Sequence, residues 1–281
     1  MLLALVSIFY FGLKIGIDFK GGALTEVVYQ EARPIQEELD QPLKDLNIGS
    51  VLLQPTEDLG YIVKSRDLTD EEHNLLLSTL SLDSKYALEE KSFNSIGPSV
   101  GKELTRKAIM AIVLVSLGII FFIAFAFRKV SKPVSSWKYG FIAIIALVHD
   151  VIIPVAIFSA LTHFYGAEVD TLFVVGVLTI LGLSVSDTIV IFDRIRENIK
   201  DKTEHNFEET VGRSLNQSFL RSIFTSLTLM IVLVSLVLFG PESTKYFALM
   251  LTAGMFFGTY SSIFLASPLL VLFEEMQRVK K

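Results

Sequence analysis

The sequence predicts an α-helical membrane protein with several spans and one small α+β domain outside the membrane. The chain has 281 residues, of which 51% are hydrophobic, and its mean hydropathy is +0.54. That composition is too apolar for an ordinary soluble domain of this length. The apolar residues are gathered in long runs, and one polar, acidic stretch at residues 16–106 interrupts them near the N-terminus.

Five apolar runs are long enough to cross a bilayer, whose core of about 30 Å needs about 20 helical residues. These runs cover residues 108–127, 139–161, 169–192, 219–239 and 246–273. A sixth run, residues 1–13, reaches only about 20 Å as a helix, and we interpret it as the outer part of a first span that is shortened here. The prediction is therefore six transmembrane helices, divided into residues 1–15, an extracytoplasmic domain over residues 16–106 and a five-helix unit over residues 107–281.

Lysine and arginine residues predict the orientation. They cluster after the second and fourth spans and at the C-terminus, as Arg128, Lys129, Lys132 and Lys138, as Arg194, Arg196, Lys200, Lys202 and Arg213, and as Arg278, Lys280 and Lys281. The other short connections contain only Lys245. The positive-inside rule places the basic loops and the C-terminus in the cytoplasm and the segment 16–106 outside.

Short strand and helix patterns alternate along the segment 16–106. Strand patterns occur at residues 23–30, 50–55, 61–66 and 85–93, and helix patterns at residues 34–46 and 67–80. Pro42 weakens the second half of the first helix, whereas the second helix begins after Thr69 or Asp70 as its N-cap. The order β-α-β-β-α-β predicts a ferredoxin-like domain of about 90 residues.

Several classes of site are not expected. The chain contains no cysteine, which excludes disulfides, thiolate metal sites and cysteine nucleophiles. We find no phosphate-binding loop, nucleotide fingerprint, zinc-ligand spacing or serine triad. The basic loops are explained by membrane topology and give no indication of nucleic-acid binding. We therefore expect neither enzyme activity nor a cofactor or a metal site.

Three ionisable residues lie inside predicted spans, namely Asp150, Asp187 and Arg221. A charge at the centre of a membrane helix costs about 2.5–3.5 kcal/mol on insertion scales, so each needs a partner, water or a change of protonation. Asp187 and Arg221 lie about 9 Å and about 12 Å from the cytoplasmic charges of their own antiparallel spans, so they can face each other. Asp150 lies about 18 Å of helix beyond the cytoplasmic charge of Lys138, near the middle of the membrane.

Two interpretations of these charges stay open. Asp187 and Arg221 can form a buried ion pair that only fixes helix packing, and such pairs often contribute little net stability. Alternatively, Asp187 is a protonatable switch, because intramembrane carboxylates often mark proton relays. For Asp150 the two interpretations have similar weight, because the adjacent His149 can supply a hydrogen bond to its carboxylate. His149 itself is more typical of a hydrogen-bonding neighbour than of a metal ligand, because no second ligand follows at the helical spacing.

Five motifs spread over nearly the whole chain carry a family resemblance. They are "GIDFKGG" at residues 16–22, "SIGPSVGKEL" at 95–104, "LVHD" at 147–150, "SVSDTIVIFDRIREN" at 184–198 and "NQSFLRS" at 216–222. Together they resemble the SecF members of the SecD/SecF family, membrane subunits of the bacterial protein-export machinery within the resistance-nodulation-division superfamily. The resemblance implies six spans in the bacterial inner membrane, with one extracytoplasmic domain after the first.

The resemblance also implies partners and a mechanism. Family members work with SecD beside the SecY-SecE-SecG channel and the SecA motor, in membrane lipid, and use the proton-motive force to pull unfolded preproteins out of the channel. The family's proton-transfer positions match Asp187 and Arg221, to which we add Asp150 as a third candidate. The family motif often has Asn before the aspartate, where this chain has Ser186.

Two other functions remain open at this point. The chain can be a half-transporter of the same superfamily that exports a small molecule or a lipid. It can also be a membrane scaffold that transports nothing, in which Asp187 and Arg221 are a packing pair. A ligand cavity among the spans favours the first of these, and a lack of any proton dependence favours the second.

Overall fold

The computed structural model describes residues 1–56, 59–127, 136–201 and 206–279. Several of the basic residues that predict the orientation lie outside these ranges, namely Arg128, Lys129, Lys132, Lys202, Lys280 and Lys281. The chain forms two compact units, one of Met1–Lys14 with Met110–Lys281 and the other of Ile15–Ile109. Each unit is described by itself.

The smaller unit contains the strands and short helices that the sequence predicts. After a single helical turn, α2 (Ile17–Lys20), it consists of β1 (Gly22–Tyr29), α3 (Gln36–Asp45), β2 (Leu52–Pro55), β3 (Gly60–Ser65), α4 (Asp70–Leu80) and β4 (Leu88–Ile96). The predicted order β-α-β-β-α-β is confirmed. Helix α3 continues through Pro42. Helix α4 begins after Thr69, whose hydroxyl accepts from the backbone N–H of Glu72 in a capping box, so the N-cap prediction is also confirmed.

The four strands form one antiparallel sheet in the order β2-β3-β1-β4. Buried and partly exposed residues alternate along β1, as expected for a strand with one face on the core. Apolar side chains from three strands, both longer helices and the connection between α3 and β2 form that core: Val27, Tyr29, Leu39, Leu43, Ile48, Leu53, Tyr61, Val63, Leu76 and Leu80. The helices therefore cover one face of the sheet.

The larger unit is helical. It consists of α1 (Leu2–Phe11), most of α5 (Pro98–Ala126), α6 (Ser136–Tyr165), α7 (Thr171–Lys200), α8 (Phe207–Phe239), α9 (Glu242–Ser261), a π-helical turn (Ser262–Ala266) and α10 (Ser267–Val279). Within the described residues, five helices are long and apolar enough to span a membrane, with α9, the π turn and α10 counted as one. Helix α1 has 10 residues, or about 15 Å, so the count of six spans stays a prediction.

Helix α1 is attached to α6 by hydroxyl groups. Ser159 of α6 donates to the carbonyl oxygen of Gly12 at 2.7 Å, and Ser7 of α1 donates to that of Ala156 at 3.2 Å. Just beyond α1, the Nζ of Lys14 lies 2.8 Å from a carboxylate oxygen of Glu168. These contacts hold the short first helix against the bundle at both its middle and its end.

Helix α9 packs against α6, α7 and α8, and glycines allow the close contact with α7. A Cβ atom on Gly254 would collide with the side chain of Ile180, and one on Gly258 would lie 3.5 Å from the Cβ of Ser184. Small residues recur every four positions along the last span, as Gly254, Gly258, Ser262 and Ala266, and this spacing predicts a close helix contact. Gly254 and Gly258 lie at such a contact in the structure. This contact is with α7 of the same chain.

The last span changes geometry where α9 ends. Residues Ser262–Ala266 form a π-helical turn, followed directly by Pro268 at the second position of α10. Proline has no N–H and its ring collides with the carbonyl four residues earlier, so a wider turn relieves the conflict. Ser267 compensates part of the lost hydrogen bonding, because its hydroxyl donates to the carbonyl oxygen of Ser262 at 3.0 Å.

Replacing Gly258 by leucine should destabilise the bundle, because the larger side chain would force α9 away from Ser184. Overpacking of this kind costs about 1–3 kcal/mol. The measurement is thermal unfolding of the purified full chain in mild detergent. Gly118→Leu is the matched control, since nothing lies within 4 Å of a Cβ at Gly118. Equal stability of the two variants would show that α9 does not pack through Gly258.

Candidate functional site

Asp150 is the most deeply buried charged residue of the described spans, with 0% of its surface exposed. Three side chains surround its carboxylate. Ser184 of α7 donates a very short hydrogen bond to Oδ2, and Ser261 at the end of α9 donates to the same oxygen at 2.7 Å. The Nδ1 of His149 lies 2.9 Å from Oδ1. The carboxylate is thus held from three helices, and the expected contact with His149 is confirmed.

Local sequence explains why this place in the bundle can hold a carboxylate. Gly258 has no side chain, and a Cβ there would lie 3.9 Å from Oδ2 of Asp150. Pro154 lies one turn after Asp150 in α6, so the backbone carbonyl of Asp150 lacks its usual N–H donor four residues later. The π turn begins at the same level of the neighbouring helix. Irregular backbone at membrane depth is tolerated where it is buried in protein, as it is here.

The environment of Asp187 is different. This residue is half-buried and lies about one turn after Ser184 in α7. Its carboxylate faces the hydroxyl groups of Ser222 and Thr259 and lies in the electrostatic field of Arg221 and Asp150. The Ser222 hydroxyl is buried and makes no other hydrogen bond within the described residues. A small cavity of about 10 Å³ adjoins Asp187, which is the lower limit for one water molecule.

The structure brings Asp187 and Arg221 near each other without pairing them directly. Among the described side chains, the two interact electrostatically, and the Arg221 side chain is exposed rather than buried beside the carboxylate. Arg221 instead lines a cleft of about 430 Å³ between α7 and α8. This conformation is compatible with the predicted similar depth of Asp187 and Arg221 in the membrane. The two side chains do not form an ion pair in it.

The cleft extends from Arg221 toward the polar end of both helices. Its lining consists of Ile189, Val190, Asp193, Arg194, Glu197, Gln217, Ser218 and Arg221. Arg194 is already engaged, because it bonds the carboxylate of Glu197 and donates to Oε1 of Gln217 at 2.7 Å. The cleft is thus lined by polar side chains and by charges of both signs.

Hydroxyl groups that sequence reasoning did not single out connect these sites. A stripe of buried serines runs along α8 at four-residue spacing: Ser214, Ser218, Ser222 and Ser226. Ser226 bonds Thr259 of α9, and Thr188 of α7 lies 2.9 Å from Ser262. The four-residue spacing in α8 was visible in the sequence, and Ser261 and Ser262 are both buried where the π turn begins.

The described residues contain no group of three or more His, Cys, Asp or Glu side chains that could hold a metal ion. The arrangement consists of two carboxylates, one guanidinium and a set of hydroxyls. Such groups can bind, release and pass protons between neighbours.

Comparison with known proteins identifies the sequence relatives. Residues 78–276 match the family "Protein export membrane protein SecD/SecF, C-terminal". The chain is 40% identical to the protein translocase subunit SecF of Thermobaculum terrenum, over 96% of this chain and 87% of that protein. It is 35% identical to the protein translocase subunit SecF of Sebaldella termitidis, over 100% of this chain and 89% of that protein.

Two solved structures are also similar. The crystal structure of SecDF, a translocon-associated membrane protein from Thermus thermophilus, matches with a TM-score of 0.79 and 34% identity over 98% of this chain. The crystal structure of SecDF in a super-membrane-facing form matches with a TM-score of 0.66 and 31% identity over 99% of this chain. The chain spans 36% and 37% of the length of those two SecDF chains.

The cleft predicts a sharp difference in water access along α7 and α8. A cysteine at Gln217, which lines the cleft, should react rapidly with a charged maleimide, whereas a cysteine at Ser184, which is 5% exposed, should react slowly. The chain has no native cysteine, so each variant carries a single thiol. Labelling is measured in lipid nanodiscs, where both membrane faces are accessible. Equal rates at the two positions would contradict a water-filled cleft that ends before Ser184.

Proposed function

This chain belongs to the SecD/SecF family of protein export membrane proteins, and we propose that it is the SecF subunit of a proton-driven SecD–SecF translocation motor. A role in protein translocation follows from the family. We further propose that the energy for translocation comes from protons that bind to and leave groups within the spans. We also propose that the chain catalyses no covalent reaction, in keeping with relatives that are translocase subunits.

The observation that carries the proposal is the position of Asp187. It lies on α7 between the buried carboxylate of Asp150 and the guanidinium of Arg221, and it feels both charges. Arg221 reaches a polar cleft, while Asp150 lies in the dry part of the bundle. A carboxylate between a wet and a dry region can load a proton from one side and release it toward the other when water access alternates.

The residues around Asp187 suit both of its charge states. Arg221 attracts the charged carboxylate, and the hydroxyls of Ser222 and Thr259 can donate to it. When the carboxylate is neutral, its own O–H can donate to the same hydroxyl oxygens, and Arg221 is free to turn into the cleft. We propose that Asp187 and Arg221 exchange between these two arrangements, and that Asp150 takes part in the same proton transfer.

The energy available is sufficient for a modest conformational change. One elementary charge that crosses 100 mV releases about 2.3 kcal/mol. A few protons per cycle can therefore shift a two-state equilibrium from strong preference for one state to strong preference for the other, which needs about 5.5 kcal/mol.

We propose the partners that the family implies. SecD comes first, because the solved chains that this chain matches are SecDF proteins in which it covers 36% and 37% of the length. The SecY-SecE-SecG channel, the SecA motor and an unfolded preprotein complete the assembly in membrane lipid. The description of one matched structure as translocon-associated supports a place beside a channel.

We further propose six spans in the bacterial inner membrane, with the C-terminus in the cytoplasm and residues 16–106 outside as a ferredoxin-like domain. The clustering of basic residues supports the orientation. The β-α-β-β-α-β order and the sheet order β2-β3-β1-β4 support the domain type. The division into residues 1–15, 16–106 and 107–281 is part of the same proposal, with α1 as the outer part of the first span.

Asp187→Asn should abolish the response of protein export to a proton gradient while the protein assembles normally. Asparagine keeps the shape and hydrogen bonding of the neutral acid but cannot change charge. The measurement is export into membrane vesicles that contain the variant in its complex, with and without an imposed proton gradient. Glu275→Gln is the matched control, because Glu275 is an exposed carboxylate near the end of the last span.

Arg221→Met should also abolish the response, for a different reason. Without the guanidinium no cation favours the charged form of Asp187, so the site loses one of its two states. If Asp187→Asn vesicles still respond fully to the gradient, Asp187 is a packing residue and the proton-driven mechanism is wrong.

A further inference from the structure

The hydroxyl of Ser261 has two acceptors within hydrogen-bond distance but only one proton to donate. Its Oγ lies 2.7 Å from Oδ2 of Asp150 and 3.0 Å from the carbonyl oxygen of Gly258 in its own helix. A hydroxyl carries a single O–H donor and two acceptor lone pairs. Ser261 must therefore choose between the carboxylate of α6 and the backbone of α9, and the charge on Asp150 decides the choice.

Ser184, the other hydroxyl on Oδ2, has no such alternative. Within the described part of the chain its Oγ donates only to Asp150. When a proton binds Oδ2 of Asp150, that oxygen becomes a donor, and one of the two hydroxyls accepts from it instead of donating to it. Ser261 can do so at little cost, because the Gly258 carbonyl receives its proton. Ser184 would lose its only acceptor.

The π turn extends this choice to α7. Ser262 also donates to the Gly258 carbonyl, at 3.0 Å, and its Oγ lies 2.9 Å from the hydroxyl of Thr188. The Gly258 carbonyl therefore lies within hydrogen-bond distance of both Ser261 and Ser262. Thr188 directly follows Asp187 in the chain. When Ser261 donates to Gly258 and accepts from Asp150, a set of hydrogen-bonding groups links Asp150 to the residue beside Asp187.

Few charged groups compete with this arrangement. Within the described residues, Asp150 faces His149 on its own helix and feels Asp187 from α7. The last span contributes only hydroxyls and a backbone carbonyl at this level, and α1 contacts α6 through serine and backbone groups. The groups that face Asp150 are therefore hydroxyl donors, one histidine and one neighbouring carboxylate.

We propose that Ser261 is a positioning residue that couples the protonation of Asp150 to the hydrogen bonding of the last span, by turning its hydroxyl between the Asp150 carboxylate and the Gly258 carbonyl. With Asp150 charged, Ser261 ties α9 to α6. With Asp150 neutral, Ser261 accepts from the carboxylic acid and donates its own proton to the Gly258 carbonyl, so the bond to α6 is reversed and a bond within α9 is added. The inference rests on the proposed proton-driven function for its physiological meaning, but the coupling itself can be measured without transport.

The test is an infrared titration of the purified full chain in lipid. The C=O band of a protonated carboxylic acid is followed from about pH 4 to about pH 9, and the part due to Asp150 is defined by its loss in Asp150→Asn. Ser261→Ala removes a donor to the charged form, so the midpoint of this band should move to higher pH by about one unit. Ser261→Thr keeps the hydroxyl, so in this variant the midpoint should equal that of the unmodified chain.

Ser267→Ala is the matched control. Ser267 is also fully buried in the last span and donates to the carbonyl of Ser262, but it does not touch Asp150. The midpoint of the Asp150 band in Ser267→Ala should equal that in the unmodified chain. Equal midpoints for Ser261→Ala and Ser267→Ala would overturn the proposal, and so would a spectrum in which no band depends on Asp150.

Export assays on the same variants separate this proposal from the proposed function. In one outcome, export does not respond to the proton gradient while Ser261→Ala still shifts the midpoint of the Asp150 band. That result would support the coupling and contradict the proton-driven motor. If export follows the gradient and the midpoint does not move, the motor stands and Ser261 is only a packing residue.

Discussion

A carboxylate in the hydrocarbon region of a membrane must find its hydrogen-bond donors within the protein, and this constraint at Asp150 organises the helical unit. Water is absent there, so an unpartnered charge is far more costly than at a surface. Ser184 and Ser261 supply donors from two different helices. The contact requires α6, α7 and α9 to approach closely, and Gly258 makes that approach possible.

The same constraint explains why the helices are irregular beside Asp150. Pro154 frees a carbonyl in α6, and the π turn before Pro268 shifts the register of the last span so that adjacent serines both point inward. π turns inside α-helices are frequent at functional sites. Asp187 differs from Asp150 because it is only half-buried and its neighbours include the exposed cation Arg221 as well as hydroxyls. The fully buried carboxylate is surrounded by hydroxyls and a histidine, and the half-buried one by hydroxyls and a guanidinium.

Much of this arrangement could be predicted from the sequence. Apolar runs and basic loops indicate the five long helices, and the strand and helix patterns of residues 16–106 indicate the order of elements observed in the sheet domain. The glycines of the last span indicate its packing face because close helix contacts need small residues. The three intramembrane charges were evident because each is rare and costly in such a segment.

The rest depends on geometry that no local pattern encodes. The π turn inserts an additional residue into a helix whose sequence reads as continuous, so the turn itself could not be foreseen. The partner of Asp150 on α7 lies 34 residues away in the chain, and it could be identified only once the helices were packed. The open state of Asp187 and Arg221 is a property of one conformation, whereas sequence spacing indicates only that they lie at similar depth.

The most direct test of this account is the charge of Asp187 itself. Carbon-13 NMR of the full chain in lipid, labelled at aspartate and assigned with Asp187→Asn, reports whether that carboxyl is charged or neutral. The account predicts that its resonance moves between the two limiting positions as the pH is varied, because a proton carrier must both load and release its proton. A resonance that stays at one limit throughout would contradict a proton switch at Asp187.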